Sequence, residues 1–349
     1  SAAQFLGNRK GAVVAIDLQS GGVNVLYSAP TFSINKLSNG MSDQEFQLLI
    51  KNAEKPFFNR ALQGRYPPAS TIKPAIGMFG LANDIVDWEY QIKDPGFFTL
   101  PETGRIYRGW RKGGHGKVNM RKAILVSSNT YFFSLAYQSD IIQLAQHLSS
   151  LGFGTKICSD CFEEDKAFVP TPEWKYSMMN AGWVTGDTVN LGIGQGYLVT
   201  TPMQLANYAS ILANKGKAIE PSLVVAGNQK KPFRTWKNEG FANLDWEKMH
   251  EALTGVIESD FGTARSIRSL KTFQVAGKSG TAELVSLDSK EAYQEVRNSE
   301  LLRDHSIIIA FGPMPNPKYA VSVVIENGES GGAVAGPVAI EVLKSLIDE

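Results

Sequence analysis

The chain opens on strand period. Gly11 to Asp17 and Val23 to Tyr27 place β-branched residues on either side of Ser20-Gly21-Gly22, which predicts a hairpin. From Ser42 to about Phe261 apolar positions recur at helical spacing. That pattern predicts helices over Asp43–Asn52, Ser70–Asn83, Asn119–Val126, Thr130–Gln138, Asp140–Leu151, Thr201–Asn214 and Asp245–Ser259. End signals agree: Thr201-Pro202 reads as an N-cap followed by a first-turn proline, Asp140 as a cap, and Gly152 and Gly216 as helix-ending glycines. After Lys271 alternation returns, with strands expected over Thr272–Leu284, Ser306–Phe311 and Tyr319–Glu326 and a closing helix over Pro337–Ile347. The polar segment Ser286–Asp304 interrupts this run beside a strand that carries chemistry, as a gating loop would. Strands at both ends around a helical middle imply an α+β protein whose termini share one antiparallel sheet. Residues 1–41 and 271–349 form the expected sheet region, and residues 42–270 a mainly helical region beside it, with a cleft between them.

Composition narrows the class. At about 150 residues per domain, 349 residues make two units or one domain with two sub-regions. A net charge of +1 lacks the basic excess of a dedicated nucleic-acid binder, so no nucleic-acid partner is expected. With 43% hydrophobic and 20% charged residues the chain can bury a full core. No stretch approaches the roughly 18 apolar residues of a membrane span, and Ser1 to Lys10 lacks a signal-peptide core. Cys158 and Cys161 form a lone C-x-x-C without histidines at finger spacing, which reads as a surface-loop pair, bridged or free, with no catalytic part.

Several motifs fail on inspection. Gly328-Glu-Ser-Gly-Gly332 matches a nucleophile elbow, but no histidine follows His305 to complete it. Gly277-Lys278-Ser279 resembles the end of a phosphate loop whose first glycine would have to be Thr272. Metalloprotease, EF-hand and dinucleotide patterns are absent.

What survives is Ser70-Thr-Ile-Lys73, then Ser127-Ser-Asn129, then Lys278-Ser279-Gly280-Thr281. S-x-x-K also occurs at Ser33-Ile-Asn-Lys36, in a polar segment expected to be loop, where the two residues need not face each other. At Ser70 the context differs. Tyr66-Pro67-Pro68 breaks the chain just before, and an apolar helical run follows, so Ser70 and Lys73 share one face of a first turn. A serine hydroxyl attacks only when a base takes its proton, and a lysine serves only when neutral. Bringing its pKa from about 10.4 to near 7 requires on the order of 4 kcal/mol from desolvation and nearby positive charge. The helix N-terminus and Lys278 are the expected sources, and the Ser70 N–H faces a developing oxyanion. Ser127 and Asn129 lie between two predicted helices, where a bland alternative is that Ser127 only caps the second. Gly280 inside a good strand marks a close approach, and Lys278 with Ser279 suits the carboxylate of a peptide-like substrate along a strand edge.

The order of these motifs resembles the penicillin-recognising serine acyl-enzymes. With Tyr66-Pro-Pro-Ala-Ser-Thr-Ile-Lys-Pro74, Asp94-Pro-Gly96, Gly114-His-Gly116, Gly186-Asp-Thr188, Gly192-Ile-Gly-Gln-Gly196, Arg303-Asp-His305 and Glu326-Asn-Gly328, the chain looks like a class B penicillin-binding protein of the cell-elongation type, from about Gly11 onward. The resemblance implies the penicillin-binding and serine β-lactamase-like transpeptidase fold and a peptidoglycan D,D-transpeptidase without cofactor. It implies that Ser70 is the nucleophile, Lys73 its base and Ser127 a proton shuttle. Asn129 would hold the substrate amide, Lys278 and Ser279 its carboxylate, with Gly280 beside them, and the N–H groups of Ser70 and Thr281 would form the oxyanion hole. The implied ligands are stem peptides and β-lactams. Implied partners are the elongation machinery, a membrane glycosyltransferase and a shape-determining scaffold, at the periplasmic face of a bacterial inner membrane. Membrane anchor and pedestal are expected to lie outside this chain. Some relatives hold a metal through these segments. Here Asp94 and His115 remain but the other two positions are Gly109 and Ser128, so no metal is expected.

The alternatives are a serine β-lactamase and a non-catalytic β-lactam sensor. No E-x-x-L-N segment lies between Asn129 and Lys278, which removes support for a class A β-lactamase and leaves class D open.

Overall fold

The computed structural model describes residues 2–224, 234–235, 244–284 and 302–348. Of the segment expected to gate the site, residues 286–301 lie outside these. The chain runs through α1 (Ala2–Leu6), β1 (Gly11–Asp17), β2 (Val23–Ala29), α2 (Ile34–Asn39), α3 (Asp43–Lys51) and α4 (Arg60–Gln63). A 3-10 turn over Ala69–Ile72 then leads directly into α5 (Lys73–Ala82). Four short strands follow, β3 (Ile92–Asp94), β4 (Phe97–Thr99), β5 (Ile106–Arg108) and β6 (Gly116–Val118), and then α6 (Met120–Leu125), α7 (Asn129–Tyr137) and α8 (Ile141–Ser150). After α9 (Pro172–Met179), α10 (Thr185–Leu191) and α11 (Pro202–Ala213) come the two-residue strands β7 (Lys217–Ala218) and β8 (Arg234–Thr235), then α12 (Trp246–Glu258). The chain ends with β9 (Gln274–Ala282), β10 (His305–Met314), β11 (Tyr319–Ile325), a π-helical turn over Gly331–Ala335 and α13 (Gly336–Asp348).

Both ends of the chain meet in one five-stranded sheet of order β2-β1-β11-β10-β9, antiparallel throughout. Its interior strand β1 shows why both faces must be covered. Val13 and Ala15 join the main core, while Ala12, Val14 and Ile16 face a second cluster with Met203 and Ala206 of α11. α11 is buried along its whole length, and Thr201 caps it through a reciprocal bond with Gln204. α12 packs on β9, and α13 on β10 and β11. β9 closes the sheet on one side, and among the described residues no strand pairs with its outer border.

Three expectations change. Ser33 to Lys36 is not loop: Ser33 caps α2, a six-residue helix too short for a helical period to reveal it. α9 and α10 also form without a sequence forecast, and α9 buries only Lys175. The cysteines are bridged, Cys158 to Cys161, but they are buried against β1 and α11 rather than placed on the surface.

Candidate active site

The arm that carries Ser70 is tied down before the nucleophile arrives. Tyr66 exchanges backbone hydrogen bonds with Thr200 at 2.9 and 2.8 Å. Its hydroxyl and Arg60 Nε both donate to Glu326 Oε1, at 2.9 and 2.8 Å, joining the arm to the end of β11. Ala69 N donates to Gly194 O at 2.9 Å while Ala69 sits at φ +50°, a left-handed position that its neighbours must enforce. Gly194 is required there, since a Cβ would lie 2.2 Å from Ala69 O. Ser70 follows in the 3-10 turn, half-buried, and Lys73 opens α5, with Pro74 in the first turn where its missing N–H costs nothing.

Two lysines converge on one hydroxyl. The Lys73 ammonium is fully buried and donates to Ser127 O at 2.9 Å and Asn129 Oδ1 at 2.7 Å, and it lies 3.1 Å from Ser127 Oγ. Lys278, equally buried, donates to the same Oγ and to Ser279 O, each at 3.0 Å. The two carbonyl oxygens around Lys73 can only accept. They use two N–H groups and leave the third direction to a hydroxyl, which suits a neutral amine with a free lone pair. Burial, and after it the charge of Lys278, holds the Lys73 pKa well below the ordinary lysine value, against an opposing pull from Asp94. Burial brings Lys278 down to about 7. Of the two sources of positive potential named for Lys73, Lys278 acts on it here, second to burial.

Ser127 occupies the turn between α6 and α7 at φ +55°, which costs on the order of 1–3 kcal/mol and persists only if surrounding groups dictate it. They do. Trp110 Nε1 donates to Val126 O and Ser127 O, both at 3.2 Å. Ser128, not Ser127, caps α7 by accepting from Tyr131 N at 3.2 Å, so the capping alternative fails and Ser127 is left for the cleft. Ser128 Oγ donates to the buried carboxylate of Asp94 at 2.7 Å.

The third motif lies on the open border of β9. Gly280 is there because a Cβ would stand 3.0 Å from Thr71 Cγ2 and 3.1 Å from Pro68 O, on the turn that carries Ser70. Ser279 Oγ is 2.8 Å from Thr263 Oγ1, and Gln195 Nε2 donates to Thr281 O at 3.4 Å. A groove of about 480 Å³ is walled by Ser70, Ser127, Asn129, Ser279, Gly280 and Thr281, with Trp110 at its mouth, 60% exposed. Lys73 and Lys278 are fully buried and reach the groove through Ser127, whose hydroxyl both amines contact.

Residues 11–344 match the family described as penicillin binding protein transpeptidase domain. The chain belongs to that family. It is 42% identical to the peptidoglycan D,D-transpeptidase MrdA of Acinetobacter baumannii over 341 residues, 96% of this chain and 50% of that protein. Among solved structures it resembles Pseudomonas aeruginosa PBP2 in complex with WCK 5153, with TM-score 0.87 and 34% identity, over 100% of this chain and 76% of that one. It also resembles the PBP2 of Helicobacter pylori solved with MreC, with TM-score 0.89 and 29% identity, over 99% of this chain and 62% of that one. The chain spans about half the length of the curated relative named here.

Asp94, Gly109, His115 and Ser128, the four positions that the resemblance marks for a metal, do not make a metal site. Both Asp94 oxygens are engaged, by Gly96 N at 2.8 Å and by Ser128; Gly109 has no side chain; the His115 ring packs on Trp110 at 5.3 Å between centroids. The cluster of candidate ligands found among the described residues, Cys158, Asp160 and Cys161, is closed by the disulfide. Trp110, Thr263 and Gln195 went unassigned at the sequence level. Gln195 lies in the Gly192–Gly196 motif that carried the resemblance, but Trp110 and Thr263 had no spacing signal to mark them.

Proposed function

We propose that this chain is the acyl-transferring part of a peptidoglycan D,D-transpeptidase of the penicillin-binding protein 2 type, crosslinking stem peptides during cell elongation. The observation that carries the reading is the shared hydroxyl: Ser127 Oγ within 3.1 Å of both lysine amines, in the groove that Ser70 lines. In this reading Lys73 accepts the Ser70 proton as Oγ attacks the penultimate D-Ala carbonyl. Ser127 relays that proton to the departing D-Ala amine, Lys278 and Ser279 hold the terminal carboxylate, and Asn129 orients the amide. The N–H groups of Ser70 and Thr281 receive the oxyanion, next to Gly280 where the strand approaches the nucleophile's turn. An amine of a neighbouring stem then displaces Ser70 by the reverse sequence, and β-lactams enter as mimics. The MrdA name of the A. baumannii relative supports this chemistry. The H. pylori PBP2–MreC complex supports partners in the shape-determining and elongation machinery, and the peptidoglycan chemistry in the relative's name fits action at the periplasmic face of the inner membrane. Among the described residues no helix is long and apolar enough to cross a membrane.

The test is intact mass after penicillin exposure with the modified peptide mapped, together with D-Ala release from a pentapeptide in the presence of an amine acceptor. A long-lived adduct on Ser70 and acceptor-dependent release are expected. Hydrolysis of a chromogenic cephalosporin at many turnovers per second would instead make the chain a β-lactamase, and acylation without transfer would make it a sensor.

A further inference from the structure

Behind the catalytic turn lies a buried carboxylate with a defined task. Asp94 ends β3, which is held by pairing with β6 through Asp94 and Gly116. Its side chain is 3% exposed and Ser128 is fully buried. A hydroxyl has one proton and two lone pairs. Ser128 gives the proton to Asp94 Oδ2 and takes the Tyr131 N–H, so its rotamer is fixed from both sides. The residues flanking it, Ser127 and Asn129, supply all three oxygens around Lys73 Nζ. A bond between a hydroxyl and a buried carboxylate is charge-assisted and short, and removing one partner leaves the other unsatisfied.

We propose that in this chain the Asp94–Ser128 hydrogen bond stands where relatives place a metal and braces the catalytic turn, making Asp94 a positioning residue for the oxygens that hold Lys73. The inference rests on the acyl-enzyme reading above.

Penicillin acylation of the full chain, followed by mass at several drug concentrations, separates the binding constant from the acylation rate constant. Ser128→Ala and Asp94→Asn should each slow acylation about tenfold or more, with binding changed by less than about twofold. Ser128→Thr keeps the hydroxyl and should recover the wild-type rate to within about threefold, and the double variant should be no slower than the slower single, since both act through one bond. The wild type should acylate equally after exhaustive chelation and with zinc added. A folded Ser128→Ala protein at wild-type rate, additive losses in the double variant, or a chelator-sensitive wild type would each overturn the inference while leaving the acyl-enzyme reading intact. Should Ser128→Ala fail to fold, Asp94→Asn and the chelation series decide alone. A wild type that forms no adduct on Ser70 would overturn both.

Discussion

The chain carries S-x-x-K twice, on two helices, and only one copy is placed for chemistry. In the first, Ser33 Oγ accepts from the Lys36 backbone N at 3.2 Å as a helix cap, and the Lys36 ammonium, its side chain 67% exposed, pairs with Glu45 at 3.4 Å. In the second, the lysine is fully buried, its amine surrounded by three oxygens and pressed by a second lysine. Spacing along a helix is the same in both. What separates the two lysines is the removal of solvent, which penalises the charged amine at one site and leaves it comfortable at the other.

The comparison breaks most sharply at the hydroxyls. Ser70→Ala should abolish covalent penicillin labelling, by at least about a thousandfold in rate, whereas Ser33→Ala should label as the wild type does; intact mass reads both. Replacing the bases comes next: Lys73→Met should slow acylation about a hundredfold or more and Lys36→Met should leave it unchanged.

The pH profile sharpens the contrast further. Acylation should rise with pH as Lys73 loses its proton, well below the ordinary lysine range, and fall again near pH 7 as Lys278 discharges and carboxylate capture weakens. Lys278→Met should remove the falling limb.

The same variant should also stabilise the fold, by about 1–4 kcal/mol, because a buried ammonium without a direct carboxylate partner gives way to an apolar side chain. Lys278 has a folded pKa of about 7 against about 10.4 unfolded, so the unfolded chain binds more protons between those values. Wild-type stability therefore rises with pH across that window, and the gain from Lys278→Met is largest below pH 7 and fades toward pH 10. Thermal unfolding at several pH values checks it. The smallest effect belongs to the exposed copy: Ser33→Ala should cost about 1 kcal/mol of local helix stability through the lost cap, visible in hydrogen exchange and silent in acylation.

Much of this architecture was legible along the chain, because the features that set it are periodic or local. β1, β11 and β10 are runs of buried apolar residues, and α11 announces itself with Thr201-Pro202. Lys73, Ser127, Asn129 and Lys278 were legible for a different reason: each belongs to a short motif with a chemical rationale, and the structure brings these four into direct contact. α2 was invisible because its six residues are too few to show a helical period. The tasks of Asp94 and Trp110 were invisible because they exist only where distant segments meet, 34 residues from Ser128 in one case and 17 from Ser127 in the other.

One feature of the sheet reaches beyond the reaction. A terminal strand with bare amides and carbonyls is an invitation to any extended chain, and most folded proteins disguise such a border with charge or a kink. What stands across from β9 is the turn bearing Ser70, with Thr71 Cγ2 3.0 Å from where a side chain at position 280 would begin. A residue larger than glycine at 280 would have to push Thr71 or the Pro68 carbonyl aside. The spacing between the sheet and the turn that carries Ser70 is thus set at position 280, and a bulky residue there would part the two.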